Sequence, residues 1–240
     1  MPRLRPSDFR PASEATLVDE LCAQLPAVLA GRAQPRGIER EVVVGDSIAD
    51  VVVLLGGAEP RLPVTKPLSV GESVILSVLR RDGATTTDEL TRRCGLNGKT
   101  QRIVKRLDRL GLLKCSATGR VAVQRSWLNT TKIVAVEAKL LRWRDALAQA
   151  TSYRRYADEA YVALPEAYAH PALEGAECFL AAGVGLLVVS EHGVRRVIPA
   201  GKARDHDWRR EFVYSRLTFT GSDTTGPDGP PDRVAAGAAC

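Results

Sequence analysis

Apolar residues recur along this chain in two rhythms. Leu17, Val18, Leu21, Leu25, Val28 and Leu29 fall at helical spacing, which predicts a helix capped by Ser13 and running to about Ala30. Glu14 lies on that stripe, one turn before Val18. It either complements the helix dipole or serves chemistry. The rhythm then shifts to strands over Glu39–Val44 and Ile48–Leu55, joined by the turn Gly45-Asp46-Ser47. Asp50 interrupts the apolar second strand, where aspartate is depleted. Ile133–Lys139 is an apolar, β-branched run ending in charge. It reads as a central strand buried on both faces, with Glu137 and Lys139 on one face and Ala138 on the other. A helix over Trp143–Asp158 follows, with Gln149 and Tyr153 side by side on its flank. Ala160–Leu164 reads as a strand and 172–182 as a helix. Gly185–Ser190 with Val194–Ile198 reads as a hairpin, and Asp205–Tyr214 as a last helix.

Between the second strand and the central one the pattern differs. Gly56–Pro67 carries three prolines and reads as a linker. Helices are predicted over Val70–Arg81, Thr87–Cys94 and Lys99–Leu110, then a hairpin from Leu112–Cys115 and Arg120–Val123. On the third helix Ile103, Val104, Leu107 and Leu110 form the buried side, while Gln101, Arg102, Lys105 and Arg109 face away. Residues 68–125 hold nine Arg and three Lys against two Glu and three Asp, a net charge of +7, whereas the whole chain carries +6. All the surplus positive charge lies in this segment, as expected of one that meets a polyanion. The order of elements resembles the winged helix-turn-helix module. That resemblance implies DNA contact by Lys99, Gln101, Arg102, Lys105 and Arg109 on the third helix, and by Arg120 on the wing. A winged helix that binds a protein partner is the alternative.

Composition narrows the chemistry. The chain has 240 residues, enough for a proper core. No apolar run is long enough to span a bilayer, and no apolar signal region follows the basic start, so the cytoplasm is the expected location. Five scattered cysteines and three separated histidines favour neither a disulfide framework nor a zinc site. Cys115 and Cys178 read as packing residues. Asp205-His206-Asp207 reads as a helix cap. Any metal is expected to be hard and oxygen-bound, such as magnesium. Glycine-rich phosphate loops and G-x-S-x-G elbows are absent. A carboxylate and an amine buried together at the end of one strand call for a mutual ion pair or a bound metal.

With the basic insert set aside, the remaining order is helix, strand, strand with Asp50, strand with Glu137-Ala138-Lys139, helix, strand. This resembles the PD-(D/E)XK nuclease superfamily, although Ala49 stands where that family often has proline. The resemblance implies an α/β fold: a restriction-endonuclease-like mixed sheet flanked by helices, built from 13–66 and 126–220. The winged helix of 68–125 is inserted, and the tail 221–240 is expected to be disordered. It further implies Asp50 and Glu137 as ligands of Mg2+ or Mn2+, and Lys139 as the catalytic lysine. Glu14 would be an added acid, with Glu41 a weaker candidate, and Gln149 with Tyr153 a supporting pair. The expected activity is metal-dependent cleavage of DNA without a small-molecule cofactor or a membrane. A homodimer would suit cutting of both strands. A catalytically inactive nuclease fold that binds DNA, or a transcriptional regulator, is the alternative.

Overall fold

The computed structural model describes residues 9–30, 35–56, 66–96, 98–124 and 131–218. Helix α1 (Glu14–Ala30) begins at Ser13, whose Oγ accepts from the Thr16 amide at 3.1 Å. Strands β1 (Pro35–Val44) and β2 (Ser47–Leu55) form an antiparallel hairpin. Six elements follow: α2 (Val70–Asp82), β3 (Thr85–Thr86), α3 (Thr87–Cys94), α4 (Thr100–Arg109), β4 (Leu113–Cys115) and β5 (Arg120–Val123). Then come β6 (Lys132–Ala138), α5 (Trp143–Tyr153), β7 (Glu159–Pro165), α6 (His170–Glu174), α7 (Ala176–Ala182), β8 (Gly185–Ser190), β9 (Gly193–Ile198) and α8 (Arg209–Thr218).

The six long strands make one mixed sheet in the order β1-β2-β6-β7-β8-β9. The central strands β6, β7 and β8 run parallel, and the outer pairs are antiparallel. The central strands are apolar throughout because helices cover both faces. On one face Leu17, Leu21 and Leu25 of α1 pack on Val53, Val134, Val136 and Leu187. On the other, Trp143, Ala146 and Ala150 of α5 pack with Val52, Ile133, Ala135 and Val162.

Residues 68–124 form a separate three-stranded sheet, β3-β5-β4, with three helices. Ser69 and Glu72 close the start of α2 as a reciprocal capping box. The α2 helix ties this unit to α8. Arg80 Nε donates to Glu211 Oε1 at 2.6 Å, and the Leu68 amide donates to Ser215 Oγ at 3.0 Å.

Several boundaries differ from expectation for local reasons. Helix α5 stops at Tyr153 rather than Asp158, because the Arg154 and Arg155 amides bond three residues back and turn the chain. The helix expected over 172–182 breaks at Gly175, where a Cβ would stand 2.6 Å from the Trp143 ring. The last helix starts at Arg209, with Asp207 accepting from the Arg209 amide at 2.9 Å. Cys115 and Cys178 are exposed rather than packed. Most of the expected linker, and the expected disordered tail, lie outside the described residues. Among the described residues no helix is long and apolar enough to cross a membrane.

Candidate active site

The strands diverge at one point. β2 and β6 pair from Leu55↔Lys132 to Val51↔Val136 and then separate. β6 continues beside β7 to Ala138↔Ala163, while β2 continues with β1 alone to Val44↔Ser47. At the fork the side-chain alternation of the hairpin slips. Val51 and Arg40 face α1, but Ala49 and Val42, two positions on, join the opposite core. The slip falls at Asp50 and Glu41, which stand across from each other between Arg40↔Val51 and Val42↔Ala49. Glu41 takes φ +50, a left-handed conformation rare outside glycine.

This fork gathers the charged residues. Asp50 Oδ2 accepts from the Ala138 amide at 2.7 Å, a ladder bond that β2 itself no longer supplies. Glu137 is 1% exposed and points toward α5, where its Oε2 accepts from the Tyr153 hydroxyl. The Ile48 carbonyl lies 2.7 Å from the same hydroxyl. Tyr153 can therefore donate to an ionised Glu137, or accept from a protonated one while donating to Ile48. Lys139, one residue past β6, places Nζ 3.2 Å from Glu137 Oε1 and 3.2 Å from Glu14 Oε2. The mutual ion pair and the charge cluster coexist, with one ammonium shared by two carboxylates.

The electrostatics follow from burial. Desolvation pushes the Glu137 carboxyl above its ordinary range; the Tyr153 hydrogen bond and Lys139 oppose the rise, and the Asp50 charge adds to it. Asp50 is raised chiefly by burial, against the pull of the Ala138 amide and Lys139 and with the push of Glu14 and Glu41. Burial alone would lower Lys139, but Glu137, Glu14 and Asp50 together raise it. Tyr153 is raised by burial and by its bond to Glu137. Three acids, Glu137, Glu14 and Asp50, act on one ammonium, so acids outnumber bases at this half-buried point. Among the described residues no group of three or more His, Cys, Asp or Glu side chains forms a metal cage. Asp50 and Glu137 could hold an ion that keeps waters in its remaining positions, which is the usual habit of magnesium.

The other expected residues are placed unequally. Glu14 is half exposed at the rim rather than inward, and it reaches the site only through Lys139. Gln149 is exposed and bonds to none of the charged residues, although it lines the same cleft as Tyr153 and Ile48, a space of about 570 Å³. On α4, Gln101, Arg102, Lys105 and Arg109 are exposed, as expected. Arg120 is exposed with its guanidinium donating to the Ala84 carbonyl at 2.8 Å, so part of its donor set is spent inside the unit. Sequence reasoning missed the Ala138 amide and the Ile48 carbonyl, because backbone groups leave no residue signal. It also missed Tyr156, buried one turn beyond Tyr153 with ring centroids 5.9 Å apart.

Two outcomes follow from this geometry. The Tyr156 hydroxyl is buried without a hydrogen-bond partner among the described residues. Tyr156→Phe should therefore hold or raise stability, by up to about 1 kcal/mol in chemical denaturation, where most core substitutions lower it. Glu41→Gly should likewise raise stability by up to about 1 kcal/mol, because it relieves the left-handed backbone and one like charge beside Asp50.

Comparison with known proteins adds little. No family model matches the chain, and no curated protein does. A solved structure, a protein of unknown function from Silicibacter pomeroyi (SPO1766), is 17% identical. The alignment covers 63% of this chain and 86% of that one, with a TM-score of 0.28. A likeness of that strength carries no argument about fold or activity.

Proposed function

We propose that this protein is a metal-dependent nuclease that hydrolyses phosphodiester bonds in DNA. Its body would be a restriction-endonuclease-like domain and its insert a winged helix. The observation that carries the proposal is the fork itself: Asp50 and Glu137 come from adjacent strands, and Lys139 Nζ sits 3.2 Å from Glu137 where the strands part. Magnesium or manganese held by Asp50 and Glu137 would supply a bound water of lowered pKa and polarise the phosphoryl oxygen. Lys139 would place positive charge where the transition state gains negative charge. Tyr153 would hold the Glu137 carboxylate in position, and Glu14 would restrain the ammonium without touching substrate. The order α2, β3, α3, α4, β4, β5 supports the winged-helix reading, with α4 as the helix that meets DNA.

One observation favours a second reading, a nuclease fold that binds DNA without turnover. Glu137 and Tyr153 are almost fully shielded, so the site must admit metal and substrate past Asp50 and Lys139. Purified protein incubated with plasmid, linear, single-stranded and branched DNA in magnesium or manganese decides between them. Cleavage abolished by Glu137→Ala supports the nuclease, and no cleavage of any substrate supports the second reading.

Metal binding has its own pH signature. Asp50 and Glu137 have raised pKa values in the fold, so the folded state binds more protons than the unfolded state between the ordinary and the raised values. Without metal, stability then falls as pH rises through that window. A bound divalent ion offsets the loss. Magnesium or manganese should raise Tm more at about pH 8 than near pH 4, because protons compete with the ion for these carboxyls. A metal-induced shift equal at both pH values would place the ion elsewhere.

A further inference from the structure

A second cavity lies away from the fork, at the seam where α2 of the basic unit meets α8. It is about 320 Å³ and is lined by Arg80, Asp158, Arg204, His206, Arg210 and Glu211. Two of its three guanidinium groups are engaged. Arg80 donates to Glu211 Oε1 at 2.6 Å. Arg210 donates to Asp158 Oδ2 at 2.8 Å and to the Tyr156 and Thr131 carbonyls at 3.2 and 3.1 Å. Arg204 is exposed and has no carboxylate partner among the described residues. The cavity therefore offers one free cation at its mouth, backed by two more.

Deeper in, the wall offers acceptors. The Glu211 side chain is 4% exposed, and its Oε2 meets no donor among the described residues. His206 is 6% exposed, and burial together with the Arg210 charge lowers its pKa against the pull of Asp158, 3.8 Å away. Its Nε2 lies 3.3 Å from the Ala157 carbonyl, so in the neutral ring with that nitrogen donating, Nδ1 is an acceptor. A buried acceptor without a donor is an unusual feature that a ligand can complete.

We infer that this seam cavity binds a phosphomonoester carrying free hydroxyls, of the size of a mononucleotide. The phosphate would meet Arg204 and the outward N–H groups of Arg80 and Arg210. A sugar hydroxyl would donate to Glu211 Oε2 or His206 Nδ1. A volume of about 320 Å³ suits a ligand of that size. The source could be a free mononucleotide or the 5′-phosphorylated end of a strand, and both present the same chemistry. The inference goes beyond the nuclease reading and needs no turnover.

The test is a thermal-shift titration of the full chain with a nucleoside 5′-monophosphate, a 5′-phosphorylated single-stranded hexamer and inorganic phosphate. The expected result is a saturable rise in Tm with the mononucleotide or the hexamer, weakened at least tenfold in Arg204→Ala. That exposed substitution leaves the packing intact. A tighter hexamer makes the source a strand end, and a tighter mononucleotide makes it a free nucleotide. The inference is overturned if neither raises Tm, if Arg204→Ala binds as well as wild type, or if inorganic phosphate alone shifts Tm as much. Loss of the shift in Glu137→Ala would also overturn it, because the ligand would then sit at the fork.

Discussion

On the proposed nuclease reading, Lys139→Ala is expected to lower kcat for DNA hydrolysis by about 10²–10³-fold with the chain still folded. The two halves of that expectation have different origins. Lys139 is the ammonium within reach of Glu137, Glu14 and Asp50, and its Nζ is 3.2 Å from both glutamates. Loss of that charge removes stabilisation of the phosphoryl group as it gains negative charge. On that reading the variant would still hold metal, since removing a neighbouring cation favours a divalent ion between Asp50 and Glu137. Apparent affinity for magnesium should therefore stay the same or tighten as kcat falls. The Lys139–Glu14 pair, at a half-exposed rim, should add less than about 1 kcal/mol to the stability cost, and the rest comes from leaving the buried Glu137 carboxyl without its cation. A purely structural ion pair predicts the reverse pattern, a loss of Tm with unchanged turnover. Steady-state kinetics and a melting curve on the same preparation separate the two. Glu14→Gln is the companion measurement. It frees one of the two carboxylate restraints on Lys139 and should change kcat far less than Lys139→Ala does.

The fork was partly legible in the sequence. Glu137 and Lys139 could be paired because strand alternation puts them on one face, and Asp50 stood out as a charge inside an apolar strand. The register Val51↔Val136 then makes Asp50 and Glu137 neighbours at the point where β2 leaves β6. What alternation could not supply was the slip at Glu41 and Asp50. A local left-handed φ at a glutamate has no residue signature, and it reverses the faces of Val42 and Ala49 relative to Arg40 and Val51. Glu14 shows the opposite error. Helical periodicity put it on the apolar stripe, but its side chain is half exposed and turns to Lys139 Nζ at the rim. Similarly, the breaks at Gly175 and after Tyr153 come from a ring and a turn brought in by tertiary packing. Neither is encoded within the helices they end.

On the winged-helix reading, the basic unit should carry most of the DNA affinity, and within it the α4 face should carry more than the other helices. Its cations divide into two groups. Arg80, Arg81, Arg92, Arg93 and Arg106 are each paired with a carboxylate, at Glu211, Asp82, Glu89 and Glu72. Lys99, Arg102, Lys105 and Arg109 have no carboxylate within 4.0 Å among the described residues. Unpaired cations are free to displace the counterions of a phosphate backbone, whereas paired ones must first give up a partner. Arg102→Ala with Lys105→Ala should therefore weaken DNA binding roughly tenfold or more at low salt. It should also reduce the slope of log affinity against log salt by about 2. Arg92→Ala with Arg93→Ala changes the charge of the same unit by the same amount, and should change that slope less because Glu89 and Asp82 already pair with those residues. Fluorescence anisotropy across a salt series measures both. If the two double variants behave alike, net charge rather than the α4 face governs attraction to DNA. If neither variant alters binding, the α4 face serves a protein partner and the DNA contact lies on the sheet domain.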